Sequence, residues 1–114
     1  MLHSCGRSMA FLKMLYEETD LSCINPLEMP PMGDVNLAEV KQLYGDKLCL
    51  MGNLHTTEML MKSPEQVAAD CRAAIDAAGK NGRFILSTGD QQGRDTPDAN
   101  IFAMVETAKT YGRY

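Results

Sequence analysis

Four short apolar runs, each followed by a stretch of helical periodicity, constrain the fold of this chain more than anything else in it. Residues 2–5, 21–25, 48–52 and 84–88 are the runs. After the first, Met9, Leu12, Leu15 and Tyr16 recur at helical spacing, with Ser8 as an N-cap. After the second, Asn36 caps a helix whose apolar stripe is Leu37, Val40 and Leu43. Glu39 stands where a capping box needs it, and Gly45 ends the helix. Thr56 to Met61 fits a short helix. Ser63-Pro64-Glu65-Gln66 then supplies an N-cap, a proline at the first helical position and a glutamine at the third. Val67, Cys71, Ala74, Ile75 and Ala78 form that helix's buried face, and Gly79 and Gly82 end it. Thr96-Pro97 opens a last helix, with Ile101, Met104, Val105 and Ala108 expected to face inward. Short apolar strands alternating with helices predict parallel pairing and an α/β class, here four βα units.

The second run stops at Pro26, which cannot donate to a strand ladder, and residues 26–35 read as a long loop. In a parallel sheet all strands end on one side, which is where α/β folds place their sites. The segments after the four strands are His3-Ser4-Cys5-Gly6, Asn25-Pro26-Leu27-Glu28, Gly52-Asn53-Leu54-His55 and Thr88-Gly89-Asp90-Gln91. All carry polar or metal-ligating residues. His3 and Cys5, two apart in extended chain, point to one face, and a borderline-soft ion such as Zn²⁺ suits both.

Other positions have a chemical and a plainer reading side by side. Asp90 follows a glycine at a strand end and is a candidate catalytic residue or metal ligand, or else a loop-capping carboxylate. Asn53 is a candidate substrate donor or a turn residue. His55 is a candidate substrate contact or a solvated residue before a helix. Glu28 is a candidate fourth ligand or an exposed loop acid. Arg94 is a candidate partner for a substrate carboxylate, or the partner of Asp95. Cys23 shares a strand face with Asn25, whereas Cys49 and Cys71 read as small buried hydrophobes.

Composition excludes several classes. The chain has 114 residues, enough for one modest core, with 11 basic and 15 acidic residues. It has no Lys/Arg run or RNA-binding signature, which argues against a nucleic-acid partner. No apolar run approaches the ~18 residues of a membrane span. The N-terminal residues do not read as a signal peptide, so the four cysteines are expected as reduced thiols in a cytoplasmic protein.

Seven segments carry a resemblance: HSCG at 3–6, INPLE at 24–28, NLAEVK at 36–41, YGDKLCLMGNL at 44–54, SPEQV at 63–67, FILSTGDQ at 84–91 and RDTPDANIFAMV at 94–105. Together they resemble the C-terminal part of the uroporphyrinogen decarboxylase superfamily, which includes the corrinoid-linked methyltransferases. The resemblance implies that residues 1–114 are the C-terminal half of a (β/α)₈ barrel. In the methyltransferases a His-x-Cys motif and a later cysteine bind zinc, which activates a thiol for methyl transfer. His3 and Cys5 match the first two ligands, and Asp90 stands where the third would be. The implied function is zinc-dependent methyl transfer between a corrinoid (cobalamin) protein and a thiol, with Asp90 assisting and Asn53, His55 and Arg94 binding substrate. The alternative enzyme is a uroporphyrinogen decarboxylase-like carboxy-lyase acting on a tetrapyrrole. A third alternative is a non-catalytic module that completes another barrel. Four parallel strands do not close a barrel, so the missing N-terminal half or a second copy of the chain is the expected partner.

Overall fold

The computed structural model describes residues 1–113. The elements run β1 (Leu2–Ser4), α1 (Met9–Glu18), β2 (Cys23–Pro26), α2 (Leu37–Tyr44), β3 (Cys49–Leu54), α3 (Thr56–Met61), α4 (Pro64–Ala78), β4 (Phe84–Thr88) and α5 (Asp98–Tyr111). The four strands form one parallel sheet in the order β1-β2-β3-β4, so β1 and β4 are its edges. This is the α/β arrangement expected, four βα units of a partial barrel.

One face of the sheet packs on the helices. Ile24, Leu50 and Phe84 align across β2, β3 and β4 and lie in the core with Leu12, Leu37, Val40, Val67, Cys71 and Ile75. The residues between them turn to the opposite face, which carries His3, Cys23, Asn25, Cys49, Met51 and Ile85. That open face is where a complete barrel would have its interior. Phe84, Leu86 and Thr88 therefore point away from it, and strand alternation does not bring Asp90 to a site. The turn at Gly89 does, since Gly89 N bonds Leu54 O and redirects the chain after β4.

Strand β2 runs one residue further than expected, with Pro26 paired opposite Ser4. Gly52 lies against this residue. A Cβ added there would sit 2.2 Å from the Pro26 carbonyl oxygen, so only glycine permits β2 and β3 to approach this closely.

The helix starts follow expectation in part. Ser63 and Gln66 make the full reciprocal capping box of α4. Asn36 Oδ1 accepts from Glu39 N at 3.2 Å, one half of the box expected for α2. Ser8 precedes α1, but its side chain caps nothing and its buried hydroxyl is unpartnered. Asp34 does the capping instead, accepting from Ser8 N at 2.9 Å and Met9 N at 3.2 Å. A carboxylate at a helix start also meets the positive end of the helix dipole.

Helix α5 keeps part of its expected face, since Ile101 and Met104 pack against the core. It begins at Asp98 rather than at Thr96-Pro97, and its buried residues are Asn100 and Thr107. Val105 is exposed, as is Leu43 in α2. The reason lies in α3, whose last carbonyls have no partner within their own helix. Asn100 Nδ2 donates to Met59 O at 2.7 Å and Lys62 O at 2.9 Å. Satisfying them rotates α5 so that Asn100, Ala103 and Thr107, spaced three and then four residues along one face, turn inward. Among the described residues no helix is long and apolar enough to cross a membrane.

Candidate functional site

The carboxyl ends of the outermost strands meet at one cluster. His3 lies on β1, Cys5 follows it, and Asp90 comes from the turn after β4. His3 Nε2 is 3.0 Å from Cys5 Sγ. Cys5 Sγ is 3.5 Å from Asp90 Oδ2, and His3 Nε2 is 3.9 Å from Asp90 Oδ1. Among the described residues this is the one convergence of three or more His, Cys, Asp or Glu donors.

The imidazole is held by its neighbour strand. His3 and Asn25 are partners in the β1–β2 register, and His3 Nδ1 is 3.2 Å from Asn25 Oδ1. An amide oxygen only accepts, so Nδ1 carries the proton and Nε2 turns its lone pair toward Cys5. This is how a ligating histidine is oriented from behind. The Cys5 proton lies between two acceptors, His3 Nε2 and Asp90 Oδ2. The protein atoms packed around the sulfur, then the Asp90 hydrogen bond and charge, and then Glu28, raise the Cys5 thiol above its usual pKa. Without a cation the cluster is therefore a neutral thiol beside a carboxylate.

The donor set fits a Zn²⁺-class ion. Zinc bonds of about 2.0–2.3 Å in a tetrahedron place neighbouring donors roughly 3.3–3.7 Å apart. The separations of 3.0, 3.5 and 3.9 Å bracket that range. Nitrogen, sulfur and oxygen donors are all zinc ligands, and all three residues face solvent in part, leaving room for a further ligand.

Glu28 is neither exposed nor in the donor cluster. It is 7% exposed, and its Oε2 accepts from Gly6 N. It anchors the backbone immediately after Cys5. Its own backbone is held by Val35 N, at 3.0 Å from Glu28 O. Gly33 is packed so tightly against this acid that a Cβ there would meet Glu28 O at 2.1 Å.

Asn53 is buried, and its Nδ2 donates to Leu27 O at 3.1 Å, which ties the end of β3 to the loop after β2. His55 precedes α3, half-buried, with its Nδ1 enclosed and unpartnered. Both line a groove of about 490 Å³ between the loop after β2, the end of β3 and α4. Its walls include Val35, Leu37, Leu54 and Ala74. Arg94 and Asp95 are exposed in the turn before α5, and among the described residues no ion pair joins them. The structure thus brings together His3, Cys5 and Asp90, sets Asn53 and His55 beside a separate groove, and leaves Arg94 at the surface. Asn25 and the anchoring by Glu28 were not foreseen. Both depend on pairing between segments some 22 residues apart.

Fold and cluster together define the class: part of an α/β barrel with a mixed nitrogen, sulfur and oxygen donor set at the carboxyl ends of its strands. The family model described as uroporphyrinogen decarboxylase (URO-D) matches residues 1–111, and the chain belongs to that family. Uroporphyrinogen decarboxylase of Azoarcus sp. (strain BH72) is 29% identical over 79 residues, covering 69% of this chain and 22% of the relative. Uroporphyrinogen decarboxylase of Dechloromonas aromatica (strain RCB) is 30% identical over 80 residues, with the same coverage of 69% and 22%. The chain therefore spans about a fifth of the length of these relatives. A solved methyltransferase from Methanosarcina mazei superposes with a TM-score of 0.77 at 18% identity, over 98% of this chain and 31% of its own. At that identity the likeness concerns the fold.

Proposed function

We propose that this chain is part of an enzyme of the uroporphyrinogen decarboxylase family that transfers a methyl group between a corrinoid protein and a thiol, with zinc held by His3, Cys5 and Asp90. The observation that supports this reading is the convergence of three unlike donors from the two edges of the sheet. When bound, zinc would supply the positive charge that keeps a thiol deprotonated at neutral pH.

The chain's own residues do the rest. Asn25 holds the His3 ring in the tautomer that offers Nε2. Glu28 fixes the backbone after Cys5 through Gly6 N. Asp90 is a carboxylate within reach of the Cys5 proton and serves as its acceptor. Asn53, His55 and Arg94 would contact substrate, with Arg94 suited to a carboxylate group. The open sheet face and its two edges would be completed by a partner supplying the remaining strands, or by a second copy.

The second reading is a carboxy-lyase acting on a tetrapyrrole. It is favoured by one observation: the curated relatives at 27–30% identity carry the name uroporphyrinogen decarboxylase. A third, non-catalytic reading has the chain completing the barrel of another subunit.

Zinc content per chain separates these. Under the methyltransferase reading the purified chain holds about one zinc at this site, and Cys5→Ser and Asp90→Asn each lose it. A folded chain whose zinc content is unchanged by Cys5→Ser would sink the zinc assignment and leave the decarboxylase reading in front.

A further inference from the structure

The open face of the sheet carries a second chemical pair, away from the strand ends. Cys23 begins β2, Cys49 begins β3, and the two are direct partners in the parallel register. Cys49 N donates to Ser22 O at 2.8 Å, which fixes the register at the pair. The following residues, Ile24 and Leu50, are buried against the helices, so both thiols turn to the open face. Each is free and half-buried, and burial, then the neighbouring Cys49, push the Cys23 thiol above its usual pKa. Cys49 is thus not the buried hydrophobe its sequence context suggests, whereas Cys71 is fully buried in α4. Met51 places a third sulfur two residues along the same face of β3.

We propose that Cys23 and Cys49 form a binding site for a soft, thiophilic monovalent cation of the copper(I) class. Adjacent strands lie about 4.7–4.9 Å apart, and side chains in parallel register project side by side. The Cβ atoms of the pair therefore share about that spacing, and rotation about the Cα–Cβ bonds can swing the sulfurs closer together. Two metal–sulfur bonds of about 2.3 Å reach across a gap of up to about 4.6 Å when nearly in line. A disulfide, in contrast, requires Cβ atoms about 3.5–4.5 Å apart, closer than registered parallel strands offer. Sulfur donors select soft cations over hard ones. The donor set here is two thiols, with a thioether nearby. Zinc in a structural site takes four ligands, whereas copper(I) is content with two. On binding, each S–H bond gives up its proton to solvent and two Cu–S bonds form; no electron is transferred.

Copper(I) itself is the probe. The reduced chain is titrated with it anaerobically, in competition with a chromophoric copper(I) chelator and in a Cys5→Ser background that silences the strand-end cluster. The expected result is one copper(I) per chain. Cys23→Ser and Cys49→Ser should each weaken uptake by at least about 100-fold, because half the donor set is gone. Cys71→Ser should leave it unchanged. On the unmutated chain, copper(I) should protect Cys23 and Cys49 together from alkylation, read by peptide mass, which decides the matter if a serine variant does not fold. Undiminished uptake in the variants, protection of only one of the two cysteines, or one ion per two chains would overturn the proposal.

Discussion

The packing around its sulfur and the Asp90 carboxylate together set the reactivity of Cys5. Its surroundings favour the neutral thiol, and Asp90 contributes both by accepting its hydrogen bond and by its negative charge. The sign follows directly. Asp90→Asn removes the charge and leaves only a weaker, neutral acceptor, so in chelator-treated protein the Cys5 thiol should ionise at lower pH and react severalfold faster with iodoacetamide near pH 8. The pH profile of alkylation at the Cys5 peptide checks this, and a midpoint that stays put or rises counts against it. The same substitution should abolish zinc retention, since a neutral amide is a poor zinc ligand. The two readouts move in opposite senses, reactivity up and metal down, which a merely structural defect would not produce. Asn25→Ala acts differently. It frees the His3 ring while leaving the three donors intact, and zinc affinity should fall by about 10- to 100-fold, as for other residues that orient a ligating histidine. Equilibrium competition with a zinc chelator measures it.

Among the elements, α3 depends on α5 for its C-terminal end. Asn100 is nearly inaccessible and supplies both donors of one amide to the carbonyls of Met59 and Lys62. Asn100→Ala leaves two enclosed acceptors unpaired and should destabilise the chain by about 2–3 kcal/mol, read as a lowered urea midpoint at unchanged slope. A loss under about 0.5 kcal/mol would mean that water replaces the amide. This contact also shows where sequence reading stops. The 3.6-residue period locates α5 and puts Ile101 and Met104 on the core, but it also predicts an inward Val105 because valine is apolar, and Val105 is exposed. The polar Asn100 displaced it, because its partners belong to another helix 38–41 residues away. The strands behave alike. Their alternation with helices, and the donors His3 and Cys5 at the end of the first, were visible locally. The register that pairs His3 with Asn25 and Cys23 with Cys49 is a property of two segments at once. The cap of α1 by Asp34 is of the same kind, since a local reading sees only Ser8.

On the scale of the molecule, the sheet is open at β1 and β4, and some large apolar side chains lie uncovered. Ile85 on the open face is 47% exposed and Phe102 on α5 is 66% exposed. An apolar side chain exposed on an edge strand, as at Ile85, and one as exposed as Phe102 both favour association. Light scattering on the isolated chain should give a mass above that of one chain at high concentration, and Phe102→Ser should shift it down. A single-chain mass at every concentration would refute the need for a partner. The strand order bears on the donor cluster as well. Three spacings of about 4.8 Å would hold the edges of a flat sheet roughly 14 Å apart, yet Cys5 Sγ and Asp90 Oδ2, from beyond the first and the last strand, are 3.5 Å apart. The cluster is thus a chord across a curved arc, and its donor spacing is a ruler for that arc. Whatever flattens the sheet pulls the donors apart, and an ion held between them would tie one rim to the other, so that metal uptake and sheet curvature become a single equilibrium.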